Sequence, residues 1–106
     1  MNYYTSTIPL PLAEKLEEKG MMVDIDCDTF DEGTQYQRDE VWCNNTYSEV
    51  FDWLMSRGVP IYIRPCYLIN GDLGGWQPCY RIWKMKAEST WHEAAEKAIE
   101  KALELI

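Results

Sequence analysis

Val59-Pro60-Ile61-Tyr62-Ile63-Arg64-Pro65-Cys66-Tyr67-Leu68-Ile69, then Asn70-Gly71-Asp72-Leu73-Gly74-Gly75, then Trp76-Gln77-Pro78-Cys79-Tyr80-Arg81-Ile82-Trp83-Lys84-Met85: this stretch decides the fold. Two alternating segments flank a turn rich in glycine and asparagine, the pattern of a β-hairpin. With Asp72-Leu73 at the tip, Ile63 faces Ile82, Pro65 faces Tyr80, Tyr67 faces Pro78 and Ile69 faces Trp76. Side chains alternate across a strand, so these eight share one apolar face. The other face carries Tyr62 opposite Trp83, Arg64 opposite Arg81, Cys66 opposite Cys79 and Leu68 opposite Gln77. A slip of one residue would exchange the faces of one strand, so the pattern favours this register. Pro65 and Pro78 lack an amide donor and must sit where the ladder needs none.

Helices on both sides of the hairpin supply what covers its apolar face. Thr46-Tyr47-Ser48-Glu49 matches a capping box and opens a helix whose stripe is Tyr47, Val50, Phe51, Leu54 and Met55, ended by Gly58. Thr90-Trp91-His92-Glu93 repeats the device before a last helix with the stripe Trp91, Ala95, Ala98, Ile99, Ala102, Leu103 and Ile106. Its alanines let it lie close to a sheet, with Glu93 and Lys97 paired on the wet side. Near the start, Pro9-Leu10-Pro11-Leu12 leads into a short helix stopped at Gly20, burying Leu12 and Leu16. Met22–Cys27 alternates as a half-buried strand with Val23, Ile25 and Cys27 on one side. Asp28–Asn45 reads mostly as loop, with a short edge strand at Thr34–Gln37 or Glu40–Cys43 anchored by Trp42.

The fold expected is a single α+β domain over residues 1–106. A three- or four-stranded, mainly antiparallel sheet carries the two longer helices on one face, and the short N-terminal helix is peripheral. One hundred and six residues suffice for one modest core. No stretch approaches the roughly 18 apolar residues of a membrane span, and Met1–Ser6 lacks the pattern of a signal peptide, so the cytoplasm is the expected compartment.

Eighteen acids against ten bases give a net charge of −8. Such a balance resists phosphate neutralisation and argues against nucleic acid as partner. Asp24–Glu40 holds seven acids and one base, Arg38, which reads as a solvated, solubilising stretch. Asp24, Asp26 and Asp28 begin like an EF-hand loop, but Thr29 replaces the turn glycine and Gln35 the bidentate glutamate. No metal and no cofactor are expected. Cysteines at 27, 43, 66 and 79 form no C-x-x-C pair, so free thiols are expected, with Cys66 and Cys79 close enough to bridge on oxidation.

Catalytic residues are not visible. His92 is the sole histidine, in the first turn of the last helix and facing away from the neighbours of Trp91, and the Gly71–Gly75 turn lacks the lysine of a phosphate loop. The residues best suited to contact something are Tyr62, Arg64, Arg81 and Trp83, since aromatics and arginines dominate interface hot spots. The function expected is a non-catalytic protein-binding module. A homo-oligomeric structural component is the alternative, and a metal- or thiol-dependent enzyme using the acidic stretch or Cys66, Cys79 and His92 the third reading.

The segment Thr46–Leu54, the Gly74-Gly75-Trp76 strand start and the closing Glu93–Leu103 resemble small uncharacterised proteins of phages and prophages of gut bacteria. The helix–strand–strand–helix order is also similar to the phage α-β-α sandwich domain. The resemblance covers about residues 46–106 and implies a mobile-element accessory protein with the same hairpin and two helices. It carries over no catalytic or ligand residue.

Overall fold

The computed structural model describes residues 3–31, 36–80 and 83–106, with side chains left undescribed at 27–31, 36–40 and 83. After a 3₁₀ turn at Tyr3–Thr5 come α1 (Leu10–Glu18), β1 (Ile25–Asp31), β2 (Tyr36–Cys43), α2 (Tyr47–Ser56), β3 (Ile61–Tyr67), β4 (Leu73–Tyr80), β5 (Trp83–Lys84) and α3 (Trp91–Glu104). The α+β class is as expected. The strands divide, however, into a two-stranded ribbon, β1–β2, and a separate three-stranded sheet ordered β3-β4-β5, all antiparallel.

All three helices form where their local signals stand. Thr46 caps α2 with both halves of the box: its hydroxyl accepts the Glu49 N–H at 3.3 Å, and Glu49 Oε1 accepts the Thr46 N–H at 3.0 Å. Thr90 accepts the Glu93 N–H at 3.1 Å, and Glu93 accepts from the Ser89 and Thr90 hydroxyls. Tyr47, Val50, Phe51 and Leu54 are buried as expected; Met55 is exposed. The α3 stripe is buried from Trp91 to Leu103, joined by Ala94. That helix packs on β3 and β4, α2 packs on β3 and on the 3₁₀ turn, and α1 packs on α3 and β2. So α1 is less peripheral than expected, placing Leu12, Ala13 and Leu16 in the core.

Between Asp28 and Asn45 the expected loop is corrected. Most of it is ribbon, with Ile25 opposite Cys43, Cys27 opposite Val41 and Asp28 opposite Glu40, and a bulge where Asp39 has no partner. The candidate edge strand at Glu40–Cys43 lies inside β2, while part of the other candidate, Thr34–Gln37, lies outside the described residues. Met22–Asp24 is not strand, and Met22 points into solvent. The ribbon touches the rest chiefly through β2 against α1. The molecule measures 61 × 32 × 19 Å, with a radius of gyration of 16.7 Å against the about 13 Å of a rounded domain this long.

The β3–β4 register is shifted by four residues from the expected one. Ile61 faces Tyr80, Tyr62 faces Cys79, Ile63 faces Pro78, Arg64 faces Gln77, Pro65 faces Trp76 and Cys66 faces Gly75. An even shift keeps the alternation of the paired residues, so Ile61 and Ile63 are still buried while Tyr62 and Arg64 are still exposed. Cys79, expected on the outer face, is however buried, and Tyr67, expected on the core face, is 67% exposed beyond the bulge. What changes is the partner of each residue and the place of the turn. The turn is centred on Asn70-Gly71, and Ile69, expected opposite Trp76 in the core, is fully exposed. Ile82, expected in that core, lies outside the described residues. Beyond Tyr80 the expected long second strand is replaced by the short β5, in which Trp83 pairs with Tyr80 and Lys84 with Cys79. The chain then runs on beside β4, where Trp76 and Glu88 exchange backbone hydrogen bonds of 2.8 and 2.7 Å.

Candidate functional site

The end of the β3–β4 hairpin is the most unusual surface among the described residues. Its turn is closed by Leu68 N–H to Asp72 O at 2.7 Å and Gly71 N–H to Leu68 O at 2.9 Å. Asn70 adds a side-chain turn: its Oδ1 accepts the Asp72 N–H at 2.9 Å and its Nδ2 donates to Asp72 Oδ2 at 3.1 Å. Gly71 holds φ of 93°, which a side chain would strain. Gly74 is the residue left over between the pairs Cys66–Gly75 and Tyr67–Leu73, a bulge on which Leu68 lies so closely that an added Cβ would sit 2.9 Å from its Cδ2.

A turn with its own polar groups satisfied can afford to present apolar side chains, and this one does. Tyr67 is 67% exposed, Leu68 56%, Leu73 49%, and Ile69 is wholly outside. Scattered apolar residues on a surface are ordinary; four large ones on a single turn are a patch. Behind the tip, on the outward face of β3, stand Tyr62, at 44% exposure, and Arg64.

Tyr62 and Arg64, two of the expected contact residues, are exposed on the strand that leads to the tip. Arg81 lies outside the described residues. Trp83 is placed on β5 opposite Tyr80 and not opposite Tyr62, so the expected four-residue cluster is corrected at that position. The tip itself was not among the expected contact residues, although Asn70-Gly71-Asp72 is the strongest turn signal in the stretch and points to it.

Other candidates disperse. Cys66 and Cys79 are four strand positions out of register, about 13 Å along β4 at 3.3 Å per residue, so the expected proximity is corrected. Cys43, Cys66 and Cys79 are free thiols, and that of Cys43 is pushed up by burial. Cys79 donates to Gln77 O at 3.5 Å. His92, expected to face away from Trp91's neighbours, instead meets Tyr3, Tyr47 and Trp91 edge-on at 5.4–5.5 Å between ring centres. It belongs to an aromatic cluster in which Tyr3 stacks on Trp91 at 5.3 Å. Among the described residues no three carboxylate, thiol or imidazole groups converge as a metal-ligand set, and no helix is long and apolar enough to cross a membrane. The groove between α1 and α3, about 310 Å³, is lined by Lys15, Glu18, Lys19, Glu100, Leu103 and Glu104, and the 2.9 Å Lys15–Glu100 ion pair spans it.

No protein-family model matches the chain, and no curated protein or solved structure matches it either.

Proposed function

We propose that the chain is a cytosolic, non-catalytic module that acts by contact with protein through the β3–β4 hairpin, using the tip residues Tyr67, Leu68, Ile69 and Leu73 together with Tyr62 and Arg64. The observation that carries this reading is the tip: a turn closed by its own hydrogen bonds that holds four large apolar side chains in water. Leaving such groups solvated forgoes roughly 1.5–3 kcal/mol each, and a partner that covers them recovers much of it. A convex, preformed protrusion loses little conformational entropy on docking. Service to a phage or prophage is part of the proposal only through the resemblance of residues 46–106.

Affinity capture from host lysate, comparing the wild type with Ile69→Asp and with Tyr62→Ala/Arg64→Ala, tests it. Bound protein should be lost with both variants while their circular dichroism stays native. Capture unaffected by either would remove the hairpin as the contact surface. The alternative, a homo-oligomeric component, draws on the same patch.

A further inference from the structure

The three-stranded sheet ends at β3, and the backbone there is unpaired. Trp76 exchanges backbone hydrogen bonds with Glu88 at 2.8 and 2.7 Å, and Pro78 O accepts the Met85 N–H at 3.0 Å. These residues of β4 therefore turn their backbone groups away from β3. Opposed residues of an antiparallel pair bond to each other or both turn away, so Pro65 and Ile63, which face Trp76 and Pro78, direct their groups past the sheet edge. Ile61 does the same by alternation. Among the described residues no strand pairs with that edge, whereas the far side of β4 is taken by β5 and by Glu88. Resting on the protein-contact reading above only in taking a polypeptide as the ligand, we propose that an extended segment of the partner adds to β3 as an antiparallel strand. It pairs with the N–H groups of Ile61 and Ile63 and with the carbonyls of Ile61, Ile63 and Pro65.

The pattern of free groups selects this occupant. Donors and acceptors recur together every second residue, about 6–7 Å apart, and an extended backbone offers both kinds at that repeat. A phosphate-bearing surface offers acceptors alone and would leave the three carbonyls unmet. Edge strands are usually blunted by a lysine, a proline or a bulge. Ile61–Arg64 holds none of these, and Pro65 with the bulge at Gly74 ends the run. The two faces of β3 set the side chains of the segment. Ile61 and Ile63 belong to the core under the helices, so the residues opposite them are apolar. Arg64 is exposed and joins no salt bridge among the described residues, so the residue opposite it is an acid. A second copy is the poorer match, since β3 itself carries no acid and brings with it a body of −8.

Nuclear magnetic resonance on the wild-type protein tests this with the blocked peptide Thr-Val-Glu-Val-Thr-Val-Thr, whose glutamate falls opposite Arg64 when its central valine faces Ile63. In the free protein the Ile61 and Ile63 amides should exchange with solvent about a hundredfold or more faster than those of Tyr62 and Arg64, which are paired to β4. The peptide should bind with a Kd of about 1 mM. At about four times that concentration it should slow the Ile61 and Ile63 amides about fivefold. N-methylation of its valines, whose amides face β3, should abolish binding, while N-methylation of its threonines and glutamate should leave the Kd within about threefold. Slow exchange of Ile61 and Ile63 in the free protein overturns the proposal, and slowing that grows with protein concentration gives the edge to a second copy instead. So does absence of binding at about 5 mM peptide, or an N-methyl effect that is equal or reversed between the two sets. A peptide that fails while Ile69→Asp still abolishes lysate capture removes strand addition and leaves the contact reading. A peptide that binds while capture is indifferent to Ile69→Asp keeps strand addition and removes the tip.

Discussion

Asn45 donates from its side-chain Nδ2 to Glu49 Oε2 at 3.2 Å, and that bond ties the ribbon to the cap of α2. The same amide oxygen accepts the Asp24 N–H at 2.6 Å and faces the Cys43 thiol at 3.4 Å. The Asn45 backbone carbonyl accepts the Ile8 N–H at 3.0 Å. One buried asparagine thus joins the N-terminal segment, the residue before β1, the end of β2 and the helix that follows.

Removing that amide should cost more than an ordinary surface change. Asn45→Ala orphans the Asp24 donor and frees Glu49, and should destabilise by about 2–3 kcal/mol. Asn45→Asp keeps the acceptor but sets a second carboxylate against Glu49, so its deficit should grow as pH rises from about 4 to 7. Urea denaturation at both pH values measures this. Equal stability of Asn45→Ala and wild type would show that the junction is held by backbone pairing alone.

The two helix caps predict an acid limb. Glu49 is held below the usual carboxylate range, chiefly by the Thr46 backbone N–H, and Glu93 likewise by the Ser89 and then the Thr90 hydroxyl. A depressed folded value means that the unfolded chain takes up protons first as pH falls. The stabilisation is therefore complete above the ordinary glutamate value of about 4.3 and is lost progressively below it. Thermal midpoints should be flat from about pH 7 to 5 and fall below about 4. In Glu49→Gln/Glu93→Gln that fall should be shallower, since the neutral side chains have no proton to gain.

Burial divides two isoleucines that the alternation of the Val59–Ile69 sequence puts together. Ile63 is buried against the helices and Ile69 is in water. Ile63→Ala should lose about 2–4 kcal/mol through its cavity, and Ile69→Ala should stay within about 0.5 kcal/mol. Parallel urea curves for the two variants read the difference. A comparable loss at Ile69 would place that side chain in the core.

Features set by neighbouring residues were legible from the sequence. Thr46 with Glu49 and Thr90 with Glu93 open their helices through local hydrogen bonds, and Pro9 and Gly20 bracket the first helix through backbone restrictions. The alternation of β3 from Ile61 to Arg64 was legible too, because alternation survives any even shift, and so Tyr62 and Arg64 stand outward as expected, whereas Cys79 and Tyr67 do not keep their expected faces. The register was not, since shifts of four residues satisfy the same alternation. It is decided by the Asn70–Asp72 turn and the Gly74 bulge, which are three-dimensional closures. For that reason Ile69 read as core, and the tip was missed. The ribbon was hidden for a different reason: Asp28–Asn45 has little apolar alternation, and β1 and β2 are paired mainly with each other.

The corrected register makes a last prediction that the expected one forbids. Tyr62 and Cys79 are paired across β3 and β4, and directly opposed residues of an antiparallel pair lie about 4.5–5.5 Å apart at Cα, inside the range a disulfide needs. Tyr62→Cys should therefore crosslink to Cys79 on mild oxidation, although the buried Cys79 thiol will make the reaction slow. Wild-type protein should form no Cys66–Cys79 bridge under the same conditions, because those residues are separated by four positions of the ladder. Peptide mass mapping without reduction distinguishes the two. A 66–79 bridge in the native wild type would restore the unshifted register, and with it Ile69 would return to the face that the helices cover.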